Sequence, residues 1–245
     1  MTPRWSNLKA RKDKILAITI GQYIDTITPV SSSFIAKTYD LELSSATIRN
    51  ILAELEEEGY LTHPHTSAGR MPTQKGYRYY VDHLMTEIKL LEDEKQRIKE
   101  EYEKESKQLE DLLEKISQVL SDMTHYTSII SVDGWTNKIF CKGTSFIVGY
   151  PDYPDIEKIR CILAALEEKE RMLEIINQRL ENKISIIIGQ ELSCRGINNC
   201  SMVISSYQLK DGSSGRIAIL GPTRMQYQKV VSMLNYLSEV MEELL

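Results

Sequence analysis

Apolar residues recur at helical spacing through the first part of this chain, at strand spacing through the last part, and in a long unbroken helical pattern between them. The sharpest stretch lies between Ser44 and Gly59. At about 100° per residue, Ile48, Ile51, Leu52 and Leu55 share one stripe, which must face a core. Ser44 and Ser45 stand where an N-cap oxygen takes an orphan amide, and Gly59 stands where a left-handed C-cap belongs, so a helix is predicted over 45–58. Its opposite side carries Ala46, Arg49, Asn50 and Ala53, with Thr47 on the flank. Upstream, FIAKTYD follows Pro29, Val30 and three serines as a short helix ending near Leu41. Before it, LKARKDKILAITIGQYIDTI places Leu8, Ile15, Ile18 and Ile24 near one face of a first helix. Downstream, residues 60–62 read as a strand, 63–69 as a turn and 70–72 as the returning strand, after which Thr73 caps a helix through QKGYRYYVDHLM. Three helices with a tight turn between the second and third, followed by a hairpin, predict a winged helix-turn-helix over residues 1–85.

Residues 86–123 run without Gly or Pro, which predicts one long connecting helix. Counted in heptads from Ile88, its seam is apolar except at Lys95 and Glu105, so the segment reads either as a coiled coil or as a single helix laid over its own domain. From Tyr126 the period changes. TSIISV, KIFCKGTSFIVG, ISIIIG, CSMVISSY and GRIAILGP are apolar or β-branched runs bounded by turn residues and read as strands. DIEKIRCILAALEEKERMLEIINQRL reads as a helix with Ile159, Leu163, Leu166 and Leu173 near one face, and Pro222 and Thr223 open a terminal helix. Residues 124–245 are thus expected to form an α+β domain.

Composition narrows the function. The 245 residues carry a net charge of −5, which at first opposes a nucleic-acid partner. The acid is unevenly placed: residues 1–85 hold 10 lysines and arginines against 9 aspartates and glutamates, and Arg4, Lys9, Arg11, Lys12 and Lys14 crowd the start. A local basic patch is expected, with weak non-specific binding. No apolar run is long enough for a bilayer and the start lacks an apolar leader segment, so a cytosolic protein without a membrane partner is expected. Cys141, Cys161, Cys194 and Cys200 form no C-x-x-C pair and are expected to be reduced and largely buried. His63 and His65 have no third ligand nearby in sequence, and neither His83 nor His125 stands in a nucleophile motif, so no metal, cofactor or catalytic residue is expected. The loop Gly221-Pro222-Thr223-Arg224 reads either as an anion site or, more simply, as a strand-to-helix turn.

The chemistry that remains is recognition. Arg can bond a guanine edge bidentately and Asn an adenine edge, while a small residue such as Ala46 lets the backbone approach the groove. Ser44, Ser45, Ala46, Thr47, Arg49 and Asn50 are therefore candidates for the major groove, and His65, Thr66, Ser67 and Arg70 for holding the backbone or minor groove from the turn.

SSATIRNILAELEEEGYL, PHTSAGRMPTQKGYRYYVDHLM, IGQEL, CSMVISSYQ and GPTRMQYQKVV together resemble the heat-inducible transcription repressor family, HrcA. The resemblance implies a homodimeric repressor of chaperone genes that binds an inverted-repeat operator in double-stranded DNA. It also implies a GAF-like domain behind the winged helix and modulation by a GroE-type chaperonin. The chain departs from the family in one place: TSII is followed almost at once by GTSFIVGYPDYPD, where relatives carry further strands and an inserted dimerising domain. Without that insert, the self-complementary surface is expected on the stripe Leu109, Leu112, Ile116, Val119 or on Val230, Leu234, Leu237, Val240 of the terminal helix. The alternative reading is a winged-helix module that docks a protein, coupled to a ligand-sensing α+β domain; it would show little salt-dependent DNA binding.

Overall fold

A computed structural model describes residues 4–65, 68–103, 109–135, 138–153, 155–177, 183–210 and 212–244. The chain divides into two units, Met1–Thr86 and Glu87–Leu245.

The first unit opens with α1 (Arg4–Thr26), α2 (Ser32–Thr38) and α3 (Ser45–Glu57). The hairpin strands β1 (Leu61–Thr62) and β2 (Met71–Pro72) follow, then α4 (Gln74–Tyr79), whose end widens into a π-type turn at Tyr80–Leu84. Each short helix is started by a side chain: Ser31 accepts from Phe34 N, Ser44 from Thr47 N, and Thr73 from Gly76 N. Helix α3 stops at Gly59, whose φ of +78° is open to a residue without Cβ. Gly76 is fixed by contact instead, because a Cβ there would stand 2.2 Å from the Tyr60 carbonyl oxygen. Ile48, Ile51, Leu52 and Leu55 are all buried. On α1 the buried face is Ile15, Leu16, Ile20 and Ile24, while Leu8 is exposed and Ile18 only half-buried, so the expected stripe is corrected by a rotation. Thr19 fills a place in that face without penalty, since its hydroxyl donates to Ile15 O at 2.7 Å within its own helix.

The second unit contains α5 (Glu92–Glu103), α6 (Leu109–Thr124), β3 (Thr127–Val132) and β4 (Ile139–Lys142). It continues with α7 (Ile156–Glu167), α8 (Lys169–Asn177), β5 (Ile184–Ile188), β6 (Cys200–Gln208), β7 (Ser214–Pro222) and α9 (Tyr227–Leu244). The strands form one antiparallel sheet in the order β4-β3-β7-β6-β5. One face meets α7 and α8 through an apolar cluster that includes Ile129, Met202, Ile162, Met172 and Ile176. The other carries α6 on β3 and β4, and α9 on β6. Serines line this second layer, where their small size lets the helices sit close. Ser117 donates to Ser128 O, Ser201 bonds Tyr227 Oη at 2.7 Å, and Ser205 bonds Ser238 at 3.0 Å.

Four expectations are corrected here. The single helix over 86–123 is replaced by α5 and α6, which pack against each other, with residues 85–91 non-helical; Glu105 of the expected seam lies outside the described residues. The expected dimer stripes are largely covered within the second unit: Leu112 and Ile116 are buried while Leu109 and Val119 are half-buried, and Val230, Leu234, Leu237 and Val240 on α9 are all buried. A strand through KIFCKGTSFIVG ends at Lys142, because Gly143 turns with φ +80° and packs so closely on Ser121 and the Tyr126 carbonyl that no Cβ fits; a 3-10 turn follows at Thr144–Gly149. The expected helix after Asp155 breaks at Glu168 into α7 and α8, which resets its phase, and the deeply buried positions become Ile162, Ala165, Leu166, Met172, Ile175 and Ile176.

Candidate nucleic-acid interface

Helix α3 presents two unlike sides. While its apolar stripe is buried, Ser45, Ala46, Thr47, Arg49 and Asn50 are all exposed, and no acidic side chain lies in its first turn. The N-terminal end is built by hydroxyls. Ser44 Oγ accepts from Thr47 N at 3.1 Å and bonds Thr47 Oγ1 at 2.9 Å, and Ser45 Oγ donates to Ser32 Oγ at 3.3 Å, tying the start of α3 to the start of α2. Ser44 therefore shapes the helix end, and the residues whose side chains stand clear of it are Arg49 and Asn50.

The hairpin is anchored twice. Leu61 pairs with Pro72 and Thr62 with Met71, and past the pair the main chain of Arg70 exchanges both hydrogen bonds with Val30, each at 2.8 Å. Gly69 makes that approach possible, since a Cβ on it would fall 2.6 Å from the Pro29 and Val30 backbone. The second anchor is ionic. Arg70 Nε lies 2.7 Å from Glu56 Oε2 on α3, and His63 Nδ1 contacts Glu56 Oε1. Arg70, expected to hold the DNA backbone or minor groove, stands with its guanidinium against Glu56 of α3. His65 is exposed at the hairpin, and Thr66 and Ser67 lie outside the described residues. Val30, Ser31, Ser32, Arg49, Gly69 and Arg70 line a crevice of about 220 Å³ between the two anchors.

Glu56 is the participant the sequence did not single out. The signal is present but needs the register: partners in β1 and β2 sum to the same number, so His63 and Arg70 are the next facing pair, on the side that Leu61 turns towards the core. On the opposite flank of α3, Lys12 Nζ is 2.7 Å from both Glu54 and Glu58, which holds the Lys12 ammonium above its usual range through those hydrogen bonds. Of the glutamates grouped near the end of this helix, Glu54 and Glu58 share Lys12 and Glu56 meets Arg70.

The second unit offers less chemistry. Arg224 is clamped by Asp152, with Nε at 2.8 Å and 3.0 Å from the two carboxylate oxygens, so the Gly221–Arg224 segment is a turn with its cation already used. Desolvation pushes the thiols of Cys141 and Cys200 up to about 11, which leaves them protonated and weakly nucleophilic. Cys161 is exposed, contrary to the expectation that the cysteines are buried as a group. His125 turns with φ +57° at the end of α6 and its ring packs on Phe146 at 5.1 Å. Among the described residues, no three His, Cys, Asp or Glu side chains gather as a metal site, and no helix is long and apolar enough to cross a membrane.

Residues 88–231 match the family described as "HrcA protein C terminal domain". The chain belongs to the HrcA family. Among its relatives, the heat-inducible transcription repressor HrcA of Carboxydothermus hydrogenoformans is 31% identical, with 96% of this chain and 97% of that protein covered. The HrcA repressor of Pelotomaculum thermopropionicum is 28% identical, with 97% of each covered. The first of these alignments runs over 333 positions against a chain of 245, so the relative carries residues that have no counterpart in this HrcA chain. A solved structure, described as a crystal structure of a hypothetical protein at 2.2 Å resolution, superimposes with a TM-score of 0.72 at 18% identity, covering 94% of this chain and 98% of the other. That likeness concerns the fold, and it spans both units of the HrcA chain.

Proposed function

We propose that this HrcA-family chain is a sequence-specific DNA-binding repressor of heat-shock genes. Its first unit is a winged helix-turn-helix and its second a reduced GAF-like domain that regulates it. The observation that carries the reading is the two-sidedness of α3, whose apolar stripe is wholly buried while the side bearing Ser45, Ala46, Thr47, Arg49 and Asn50 is wholly exposed. An amphipathic surface helix needs only solubility on its outer face. This one is small where a groove wall must come close and carries, at its outer end, the two side chains best suited to purine edges. Helix α3 enters the major groove with Arg49 and Asn50 on bases, and the hairpin with His65, Thr66 and Ser67 lies along the backbone.

Relatives named heat-inducible repressors support the assignment to stress response. In this reading the protein acts in the cytoplasm as a homodimer on an inverted repeat, because two-fold symmetric sites call for a two-fold pair of readers. Its interface lies elsewhere than the covered stripes of α6 and α9. A GroE-type chaperonin raises the folded fraction, consistent with the uncharged strands β5 and β6, which would aggregate if exposed. Selection of bound duplexes from a random pool is the test. The expected product is an inverted repeat with half-sites a whole number of helical turns apart; enrichment of no sequence, with no salt-dependent binding, overturns the reading in favour of a protein-docking module.

A further inference from the structure

The carboxylate of Glu56 stands where the helix and hairpin meet, with one oxygen against the Arg70 guanidinium and the other against the His63 ring. The Arg70 and Glu56 side chains are 21% and 23% exposed, so the pair is shielded from bulk water more than a surface ion pair is. Arg70 has little freedom to leave. Its main chain is bonded on both sides to Val30, and its Nη1 also donates to Ala68 O at 3.3 Å. Arg49 lines the same crevice from α3, one helix face away, and is exposed. Two arginines therefore converge on one crevice, and a carboxylate neutralises one of them.

Phosphate contacts carry no sequence information, yet they dominate affinity for DNA of any sequence, through release of counterions. A reader working against a great excess of competing sites is served by the ratio of specific to non-specific binding rather than by affinity alone. We propose that Glu56 is a specificity-determining residue of the DNA interface: it withholds the Arg70 charge from phosphate, lowering affinity for all sequences alike while leaving the base-reading face of α3 unaltered. This rests on the DNA-binding reading above. It also accounts for a glutamate set against Arg70, where a neutral side chain could equally have packed the hairpin against α3.

The test uses the full chain and a random-sequence duplex, measuring the observed binding constant against salt concentration. Glu56→Gln keeps the shape and removes the charge. Its log–log salt slope is expected to steepen by about 0.9, the value for one further neutralised phosphate in B-DNA. Binding to random duplex should tighten several-fold at low salt, and preference for the selected operator should fall. Glu57→Gln removes an equal charge from an exposed neighbour and is expected to keep the wild-type slope. The double variant Glu56→Gln/Arg70→Gln, which has neither partner, is likewise expected to match wild type. Thermal melts on the same samples report folding. Glu56→Gln with an unchanged slope, or with a lower melting temperature and uniformly weaker binding, overturns the inference and leaves Glu56 a packing residue. A double variant whose slope is shallower than wild type by about 0.9 also overturns it, because Arg70 then touches phosphate in the native protein. Absence of salt-dependent binding by the wild-type chain removes the DNA-binding reading, and this inference with it; wild-type binding with an unaltered Glu56→Gln slope removes the inference alone.

Discussion

Arg49 and Asn50 stand one residue apart on the exposed side of α3, and neither is needed to start or pack that helix. Changing either to Ala should leave stability within about 0.5 kcal/mol, as for other surface positions. Each should cost roughly 1–3 kcal/mol on the selected operator and relax base preference at one position. Competition binding with operator variants checks this, and equal losses on operator and random duplex would remove the base-reading role from the residue concerned. These two residues were legible in the sequence because their positions follow from the helical period and from local caps at Ser44 and Gly59. Glu56 was not. It is one glutamate among Glu54, Glu56, Glu57 and Glu58, and its pairing with His63 and Arg70 exists only once the hairpin register brings residues from its two sides to one point on α3.

Among the elements, local signals fixed the short pieces better than the long ones. Helix α3 and strand β7 were visible because caps, glycines and alternation punctuate them. The separation of α5 from α6 carries no such punctuation: residues 86–123 hold no Gly or Pro, yet the two helices pack against each other within the second unit. A tertiary preference has overridden a helix-permissive sequence. The consequence is testable at Leu112 of α6, which is 4% exposed. Leu112→Glu should bury an unpaired charge and unfold the second unit, at a cost of several kcal/mol. Circular dichroism should show the loss of structure; a folded variant with altered sedimentation would instead return Leu112 to an intermolecular seam. Helix α5 is held in part by Glu94, which accepts from Lys229 Nζ on α9 at 2.9 Å and from Leu91 N at 3.1 Å. The Lys229 hydrogen bond, chiefly, lowers the Glu94 carboxyl below its ordinary value. A lowered carboxyl contributes stability above the unfolded value, near 4.3, and that contribution is lost as pH falls through the folded value. Glu94→Gln should therefore be less stable than wild type at neutral pH by up to about 1 kcal/mol, with the two melting curves converging below pH ~4. A difference that does not shrink as pH falls would assign the residue a role other than its charge.

At the scale of the whole molecule, charge is unevenly divided: residues 1–85 are nearly neutral and the rest of the chain is acid-rich. The second unit holds most of the buried apolar residues, and strands β5 and β6 of its sheet carry no charge. A brief heat step on purified protein should therefore reduce DNA affinity by lowering the active fraction rather than by weakening each complex. Added chaperonin should restore it; unchanged affinity after heating without chaperonin would exclude thermal inactivation for this chain. The pairing order of the sheet has a further consequence, for synthesis. Strand β3 has β4 on one side, but its longer partner is β7, which lies beyond α7, α8, β5 and β6 in the chain. At ordinary elongation rates of 5–20 residues per second, β3 waits on the order of several seconds after leaving the ribosome before β7 can reach it. A newly made molecule thus cannot complete its sheet until β7 has left the ribosome, and in that interval the open edge of β3 is exposed to whatever pairs with or shields it.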